Sequence, residues 1–214
     1  MMDELQKMQR MNLVQSRREA AFGEATAFYT YRFERDDGSV PKLAEAKNYA
    51  DRWEEMRCSG IGLLLWGLPG NGKTFAAACI ANALCEKMAD VRMVTLAEVL
   101  SRLPAMSAED KLYYLHSLRR CDLLILDDFG MERRTEYAQE QVFSLINGRY
   151  LSGRPLIVTT NLSLQELKEP TDMTEQRIFD RILERCVPVC FEGPGLRPHK
   201  AKETMARYKE LSGR

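Results

Sequence analysis

Short apolar runs alternate with longer amphipathic stretches from about residue 59 of this 214-residue chain onward. The runs are apolar at nearly every position, as is typical of strands in a parallel sheet that helices cover on both faces. Five runs fit this description: Ile61–Trp66, Val91–Thr95, Leu123–Leu126, Leu156–Thr160 and Val187–Phe191. Apolar residues three and four positions apart predict helices between and after the runs, near Lys73–Met88, Leu96–Leu103, Ala108–Leu118, Glu136–Leu151, Leu164–Lys168, Thr174–Arg185 and Lys200–Leu211. The alternation predicts an α/β domain of the doubly wound type over residues 59–214.

Residues 1–58 show a different pattern and are predicted to form a helical leader and a linker. Apolar residues at helical spacing predict an amphipathic helix over Met1–Phe22, but its apolar face is thin. A solvated helix and a partner-binding helix are therefore both open interpretations. The turn-forming residues Asp36-Asp37-Gly38-Ser39 separate this helix from a second one, which is predicted over Leu43–Cys58.

Composition and charge narrow the class of protein. The chain has 31 Lys+Arg against 31 Asp+Glu, so a formal net charge of 0 argues against coating nucleic acid by bulk electrostatics and leaves only a local basic patch. No stretch approaches the roughly 20 apolar residues of a membrane span, and the charged start does not resemble a signal peptide. We therefore expect a cytoplasmic protein without a membrane partner. The 6 cysteines form no C-x-x-C pair, which favours buried thiols over a zinc site.

A glycine-rich segment carries the clearest chemistry. Gly67-Leu68-Pro69-Gly70-Asn71-Gly72-Lys73-Thr74 matches G-x-x-x-x-G-K-[ST] and lies between a predicted strand and a predicted helix. Its glycines let backbone N–H groups wrap a phosphate chain, and the helix N-terminus adds partial positive charge. The expected nucleotide is ATP or its product ADP: Lys73 is expected to reach the β- and γ-phosphates of ATP, and the Thr74 hydroxyl to bind Mg²⁺. The predicted nucleotide-binding residues are Gly67, Pro69, Gly70, Asn71, Gly72, Lys73, Thr74 and Phe75.

Two carboxylates and an amide follow other predicted strands. Asp127 and Asp128 come directly after the run Leu123–Leu126. Asp127 is expected on the Mg²⁺ side, whereas Asp128 points differently and is expected to orient or activate the attacking water. Asn161 ends the fourth run, and it is expected to contact the γ-phosphate or that water if its strand lies between the other two.

Three arginines repeat every four residues in a predicted helix. Arg177, Arg181 and Arg185 therefore share one helix face. A solvated, salt-bridged face is one interpretation. The other is that one of them enters the nucleotide site of a neighbouring subunit as an arginine finger. The spacing alone leaves both open.

Several motifs in a fixed order resemble the helicase-loader branch of the AAA+ ATPases, the DnaC and DnaI group, with the transposition ATPase IstB as a close relative. The motifs are GLPGNGKT, LLILDDFG, INGRYLSGRPLIVTTNLS, RIFDRILERC and FEGPGLR, and the resemblance covers about residues 33–214. It implies a P-loop NTPase of the AAA+ (ASCE) type, with a five-stranded parallel sheet flanked by helices and a central P-loop strand. The implied roles are Walker A for Lys73 and Thr74, Walker B for Asp127 and Asp128, sensor one for Asn161, arginine finger for Arg181 and sensor two for Arg197.

The resemblance also implies contacts with single-stranded DNA from the region between the second and third strands. The basic candidates there are Arg102, Lys111, Arg119 and Arg120, with Tyr113 and Tyr114 available for base stacking. A solvated helix with buried tyrosines is the alternative. Many AAA+ enzymes have Glu where this chain has Asp128, and the shorter side chain is expected to make hydrolysis slow.

The implied function is that of an ATP-dependent loader of a DnaB-type replicative helicase on single-stranded DNA, acting as an ATP-dependent oligomer. An IstB-like ATPase that regulates transposase target choice has the same motifs. A nucleotide-gated binding module without significant hydrolysis and a small-molecule kinase remain as alternatives, although Asn161 and the two aspartates disfavour the kinase. Helicase loaders carry an N-terminal helicase-binding domain. The residues before Phe33 are too few for one, so either the chain is truncated or the helix over 1–22 is all that remains of it.

Overall fold

A five-stranded parallel sheet lies at the centre of the fold. The computed structural model describes residues 2–130, 135–170, 172–193 and 197–212, with the side chains of residues 4–130, 135–170, 172–193 and 204–212. The strands are β1 (Gly62–Trp66), β2 (Val91–Thr95), β3 (Leu123–Phe129), β4 (Leu156–Thr160) and β5 (Cys186–Cys190). Their order is β2-β3-β4-β1-β5, and all neighbours are parallel. The predicted fold class is confirmed, although β4, and not the P-loop strand β1, occupies the middle of the sheet.

Helices connect the strands and cover both faces of the sheet. They are α1 (Met2–Phe22), α2 (Leu43–Asp51), α3 (Trp53–Ser59), α4 (Lys73–Glu86), α5 (Leu96–Arg102), α6 (Ala108–Arg120), α7 (Glu136–Ser152), α8 (Leu164–Lys168), α9 (Met173–Arg185) and α10 (Arg197–Ser212). Short 3₁₀ turns occupy Thr26–Thr30, Phe33–Arg35 and Leu103–Ala105. Among the helices of the described residues, none combines the length and the apolar character that a membrane span requires.

The helix predicted over Leu43–Cys58 is in fact two helices. At Arg52 the dihedrals are φ −93° and ψ 26°, outside the helical region, and α3 starts at the next residue. Lys87 Nζ donates to the carbonyl oxygens of Ala50 at 2.7 Å and Asp51 at 3.1 Å. An ammonium group therefore binds the carbonyl groups that a continuous helix would have paired internally.

Alternate residues of the strands divide the core into two layers, because successive side chains of a strand point to opposite faces. On one face, Leu63, Leu65 and Ile157 pack with α2 and α4. On the other face, Leu64 and Val158 pack with α5 to α9. Nearly all these side chains are fully buried, which explains why the strands read as continuous apolar runs.

Helix α1 packs against α4 through its C-terminal half. Val14, Ala21 and Phe22 are buried, whereas the side chains from residue 4 to residue 13 are exposed. Arg18 donates to Asn82 Oδ1 at 3.1 Å and to Glu86 Oε1 at 2.6 Å, both on α4. Asn82 is completely buried and donates to the carbonyl oxygens of Phe28 and Tyr31, at 2.8 and 2.9 Å. The first 31 residues are thus attached to the helix that follows the P-loop.

Arg149 is a buried arginine at the amino end of the sheet, with 1% exposure. Its guanidinium donates to backbone carbonyl oxygens at the end of α6, before β3 and before β4; these belong to Arg119 (3.0 Å), Cys121 (2.6 Å), Asp122 (2.8 Å) and Pro155 (3.1 Å). Burial lowers the pKa of Arg149. The carbonyl dipoles thus stabilise the charge of Arg149, and the hydrogen bonds to its guanidinium group join three elements.

Strand β5 forms one edge of the sheet, and β1 is its one neighbour among the described strands. Pro188 is its middle residue, and Val187 and Pro188 are exposed. Proline in a sheet is confined to edge strands or bulges because it has no N–H to donate.

Candidate nucleotide-binding site

The loop between β1 and α4 has the backbone geometry of a phosphate-binding turn. Gly67 and Gly72 have φ values of 131° and 89°, which side chains with a Cβ adopt only with strain. A Cβ at Gly67 would also lie 2.6 Å from the carbonyl oxygen of Phe191. Gly72 is the N-cap of α4 and offers no side chain to its first turn. A glycine at this position leaves room at the helix N-terminus, where the helix dipole favours an anion.

Lys73 is folded back into this loop. It is only 5% exposed, and its Nζ donates to the carbonyl oxygens of Gly67 at 2.7 Å and Leu68 at 2.8 Å. A third bond, of 2.8 Å, runs to Asn161 Oδ1 at the end of β4. The Lys73 ammonium group thus lies next to the side-chain amide of Asn161, which the sequence predicted at the end of a different strand.

Asp127 ends the regular part of β3 and faces the start of α4. Its Oδ1 accepts hydrogen bonds from Thr74 Oγ1 at 3.0 Å and Thr159 Oγ1 at 2.6 Å. Burial raises the pKa of Asp127, and the neighbouring Asp128 raises it further, while the bonds from Thr159 and Thr74 act in the opposite direction. Such a carboxylate would be stabilised by a cation beside it.

Asp128 differs from Asp127 in both exposure and backbone. Its side chain is exposed, and its φ of 52° is left-handed. The register between β3 and β4 shifts from Leu126 to Phe129, which accommodates this conformation. Two successive aspartates thus point in different directions, as the sequence predicted.

The strand order brings these residues together. β4 lies between β1 and β3, which is the condition under which Asn161 was expected to take part. Because the carboxyl ends of parallel strands meet at one edge, Lys73, Thr74, Asp127 and Asn161 form one connected cluster.

Two residues at this edge make hydrogen bonds that were not predicted. Thr159 donates to Asp127 and accepts the Asp128 backbone N–H at 2.9 Å, so it orients both aspartates. Asn71, which is 2% exposed, donates its Nδ2 to the carbonyl oxygen of Phe191 at 2.8 Å. A polar Thr-Thr-Asn end on an otherwise apolar run was a usable signal for Thr159. No pattern in the sequence indicated the Phe191 contact.

The arginines of α9 lie elsewhere. Arg177 is exposed, whereas Arg181 and Arg185 are half-buried. Arg181 lies over the rings of Phe143 and Tyr150, both on α7, and donates a hydrogen bond to the Arg177 carbonyl oxygen of its own helix at 3.0 Å. Arg197 is the first residue of α10, and its side chain lies outside the described residues.

The four basic residues predicted to contact DNA differ in their local partners. Arg102 pairs with Glu98 at 2.7 Å. Lys111 and Arg119 contact α7, donating to Tyr137 at 3.2 Å and Ser144 at 2.8 Å. Arg120 is exposed, on the same face of α6 as Tyr113 and His116. Tyr114 is half-buried, and its hydroxyl makes no hydrogen bond among the described residues.

The sheet has the strand order 2-3-4-1-5, with a P-loop after β1, an acidic pair at the end of β3 and a polar tip on β4. These features together define a P-loop nucleotide-binding protein of the AAA+ class. Within that class the chain belongs to the IstB-like ATP-binding protein family, whose pattern matches residues 3–204. DnaC-type helicase loaders are among its relatives.

Two relatives and one solved structure illustrate the family. An ATP-binding protein in an insertion sequence of Mycobacterium tuberculosis is 28% identical over 204 residues, which cover 92% of this chain and 78% of that protein. The replicative helicase loader DnaC of Escherichia coli is 28% identical over 161 residues, 73% of this chain and 62% of the loader, so this chain spans less than two thirds of DnaC. The crystal structure of DnaI has a TM-score of 0.67 at 23% identity, covers 81% of this chain and 94% of DnaI, and shows likeness of fold alone.

Proposed function

We propose that this chain binds ATP together with Mg²⁺, hydrolyses it slowly, and uses the cycle to switch its own assembly on single-stranded DNA. The observation that carries the proposal is the pair of bonds from the P-loop to two other strands, Lys73 to Asn161 and Thr74 to Asp127. They collect a cation, a hydroxyl, a carboxylate and an amide at one edge of the sheet. Phosphoryl transfer to water needs this set of groups.

Thr74 and Asp127 would hold the Mg²⁺ ion. Hydroxyl and carboxylate oxygens are ligands that Mg²⁺ prefers, and Asp127 is buried with a raised pKa that a neighbouring cation would lower. When bound, the ion neutralises charge on the phosphate oxygens. The donor set of the site therefore fits the ion.

The other residues bind and orient. Lys73 would exchange the carbonyl oxygens of Gly67 and Leu68 for phosphate oxygens, because a charge-assisted bond to an anion is the stronger one. Asn161 can donate to a γ-phosphate oxygen or accept from a water molecule. Asp128, with its exposed carboxylate, can accept the proton of that water. Its short side chain supports a slow reaction.

Lys73→Ala tests nucleotide binding. We expect ATP affinity to fall at least about tenfold, and ATP to lose its stabilising effect on the melting temperature. Lys47→Ala is the matched control, because Lys47 is exposed and pairs with the exposed Asp51 of the same helix at 2.7 Å. Undiminished ATP affinity of Lys73→Ala would remove the proposed phosphate site.

Arg181 is proposed to act on the nucleotide of a neighbouring subunit. A mixture of two inactive variants tests this directly. Arg181→Ala subunits keep an intact P-loop, and Lys73→Ala subunits keep Arg181. Mixed assemblies should regain ATPase activity that neither variant has alone, and failure to complement would show that Arg181 does not act between subunits.

Helicase loading is the first candidate for what the cycle does, supported by the likeness to DnaC. The exposed face of Tyr113, His116 and Arg120 is the proposed DNA contact, since an aromatic ring and a cation can stack on bases and meet phosphates. Tyr113→Ala with Arg120→Ala should weaken single-stranded DNA binding and flatten its salt dependence, whereas the exposed control Arg57→Ala should not. An unchanged salt slope would place the DNA site elsewhere.

Regulation of a transposase is the second candidate. The insertion-sequence relative aligns with 92% of this chain, against 73% for DnaC, and the family match starts at residue 3 within α1. Binding of the chain to purified DnaB-type helicase and to purified transposase, each with and without ATP, distinguishes the two. ATP-dependent binding to the transposase alone would replace helicase loading with target choice.

A further inference from the structure

Two aromatic rings of α7, those of Phe143 and Tyr150, contact Arg181 and Arg185 of α9. We call these two rings the aromatic cradle. The Arg181 guanidinium carbon lies 4.9 Å from the centre of the Phe143 ring and 5.6 Å from that of Tyr150. Arg185 lies 4.9 Å from the same Tyr150 ring. These distances are within the range of favourable cation–π contacts.

The Tyr150 ring is itself fixed to α9. Its hydroxyl donates to Glu184, with distances of 2.8 and 3.0 Å to the two carboxylate oxygens. This bond, followed by burial and the charge of Glu184, raises the pKa of Tyr150. Tyr150 therefore contacts α9 at its ring and at its hydroxyl, and its orientation is determined by three residues.

Arg181 is held at several points without a carboxylate partner among the described ion pairs. Its Nη1 donates to the Arg177 carbonyl oxygen at 3.0 Å, and its Nε is buried without a hydrogen bond among the described residues. Its rotamer freedom is restricted by the two rings, while no acid within the described residues forms an ion pair with it. This is the state in which an arginine can meet an anion without first being ordered or released from a salt bridge.

We propose that Tyr150 and Phe143 are positioning residues, which hold Arg181 in the orientation in which it meets the nucleotide of a neighbouring subunit. The inference rests on the proposed role of Arg181 between subunits. Phe143 and Tyr150 do not touch the nucleotide themselves; they act through Arg181 alone. The cradle thus belongs to the subunit that donates the arginine, and not to the one that binds the ATP.

This asymmetry gives the test. In the mixture described above, the donor subunit is Lys73→Ala and the host subunit is Arg181→Ala. Adding Tyr150→Ala to the donor should lower the ATPase rate of the mixture about tenfold, which corresponds to about 1.4 kcal/mol in the barrier. Adding Tyr150→Ala to the host should leave the rate within about twofold, because the host contributes no arginine. A general folding defect would lower both.

Three controls sharpen the comparison. Tyr150→Phe keeps the ring and loses only the bond to Glu184, so a donor with this change should retain at least about half the rate. Tyr137→Ala removes an exposed aromatic residue of α7 whose ring contacts Lys111 and not the arginines of α9 among the described contacts, and it should leave the donor unaffected. Phe143→Leu keeps an apolar side chain without a ring and should impair the donor as Tyr150→Ala does. Melting temperatures verify that each variant is folded.

The outcomes separate this inference from the proposed function. If the parent variants fail to complement, the role of Arg181 between subunits is wrong, and the cradle's role is wrong with it. If they complement and Tyr150→Ala is equally harmful in donor and host, or harmless in both, Arg181 keeps its role but the cradle does not position it. A donor made faster by Tyr150→Ala would show that the rings restrain the arginine and would also overturn the inference.

Discussion

Asp127 combines a charge, burial and a hydrogen bond from each of two threonines. It is 5% exposed, and its pKa is raised chiefly because burial disfavours the carboxylate form. A group whose pKa is raised on folding binds its proton more tightly in the native state than in the unfolded chain. Its contribution to stability is therefore complete below the unfolded pKa of about 4 and is lost as pH rises through the native pKa.

Asp127→Asn should consequently raise the melting temperature of the nucleotide-free protein at pH 7. The amide is neutral, and its oxygen can still accept from the Thr74 and Thr159 hydroxyls. The advantage over the parent protein should shrink as pH approaches about 4, where the parent carboxyl group becomes protonated. Melting curves from pH 4 to pH 8 measure this, alongside ATPase activity, which should fall because the proposed Mg²⁺ ligand is lost.

Asp128→Asn is the matched control. Asp128 is exposed, and Asn tolerates its φ of 52° at least as well. Its melting temperature at pH 7 should change less than that of Asp127→Asn, because burial is the larger cause of the raised Asp127 pKa and the Asp128 charge only adds to it. A lower melting temperature for Asp127→Asn at pH 7 would mean that its charged hydrogen bonds outweigh the cost of burial.

At this scale the sequence predicted the P-loop and the acidic pair well, because each follows an apolar run directly. It could not predict that Asn71 reaches Phe191, since 120 residues separate them and the acceptor is a backbone carbonyl group. Nor could it show that Arg119 faces α7 while Arg120 faces solvent. Neighbouring positions on a helix point in different directions, and tertiary packing decides which is covered.

At the scale of elements, the hydrogen bonds of Arg149 join a helix and two strands of the fold. Its guanidinium satisfies carbonyl groups at the end of α6 and at the starts of β3 and β4. Arg149→Met would keep the volume but leave several buried carbonyl groups without a donor. Each such loss costs about 1 to 3 kcal/mol, so we expect the free energy of unfolding to fall by about 3 kcal/mol or more.

Urea unfolding of Arg149→Met measures this loss. Arg154→Ala is the comparison, because Arg154 approaches the same region from the surface with longer contacts of 3.3 and 3.4 Å. Its loss should cost about 1 kcal/mol or less. Equal effects of the two substitutions would show that the buried guanidinium is not what joins these elements.

Element positions followed from the apolar pattern, and the strand bounds differ from expectation by a few residues at most. The break at Arg52 did not follow, because it depends on Lys87 of a distant segment binding two carbonyl groups. Strand order also needed the structure. Asn161 joins the site only because β4 lies between β1 and β3.

At the scale of the whole molecule, stability depends on how α1 packs against the rest of the fold. Removal of residues 1–12 takes away side chains that are largely exposed and should leave the melting temperature nearly unchanged. Removal of residues 1–22 also removes Phe22, Ala21 and the bonds from Arg18 to α4, and should cost about 3 kcal/mol of stability. Thermal unfolding of the two shortened proteins measures the difference. Equal stability of both would mean that the C-terminal half of α1 contributes nothing to the stability of the α/β core.

The sequence could not decide between a solvated and a partner-binding first helix, and the reason is physical. Only a few apolar residues of α1 are buried, and its polar attachment runs from Arg18 to the buried Asn82, a contact that no hydrophobic period reveals. The half from residue 4 to residue 13 keeps Leu5, Met8 and Met11 exposed, and a partner remains a proposal for it.

Pro188 bears on how copies of the molecule can associate. An open sheet edge invites a second chain to add a strand, which leads to continuous and poorly reversible stacking. A proline at the centre of the five-residue strand β5 interrupts the row of donors that such stacking would need. At the β5 edge, copies would then meet through side chains, and in the proposed ATP-dependent assembly such contacts could form and break. The same residue that protects the edge from aggregation thus favours assembly that can be undone.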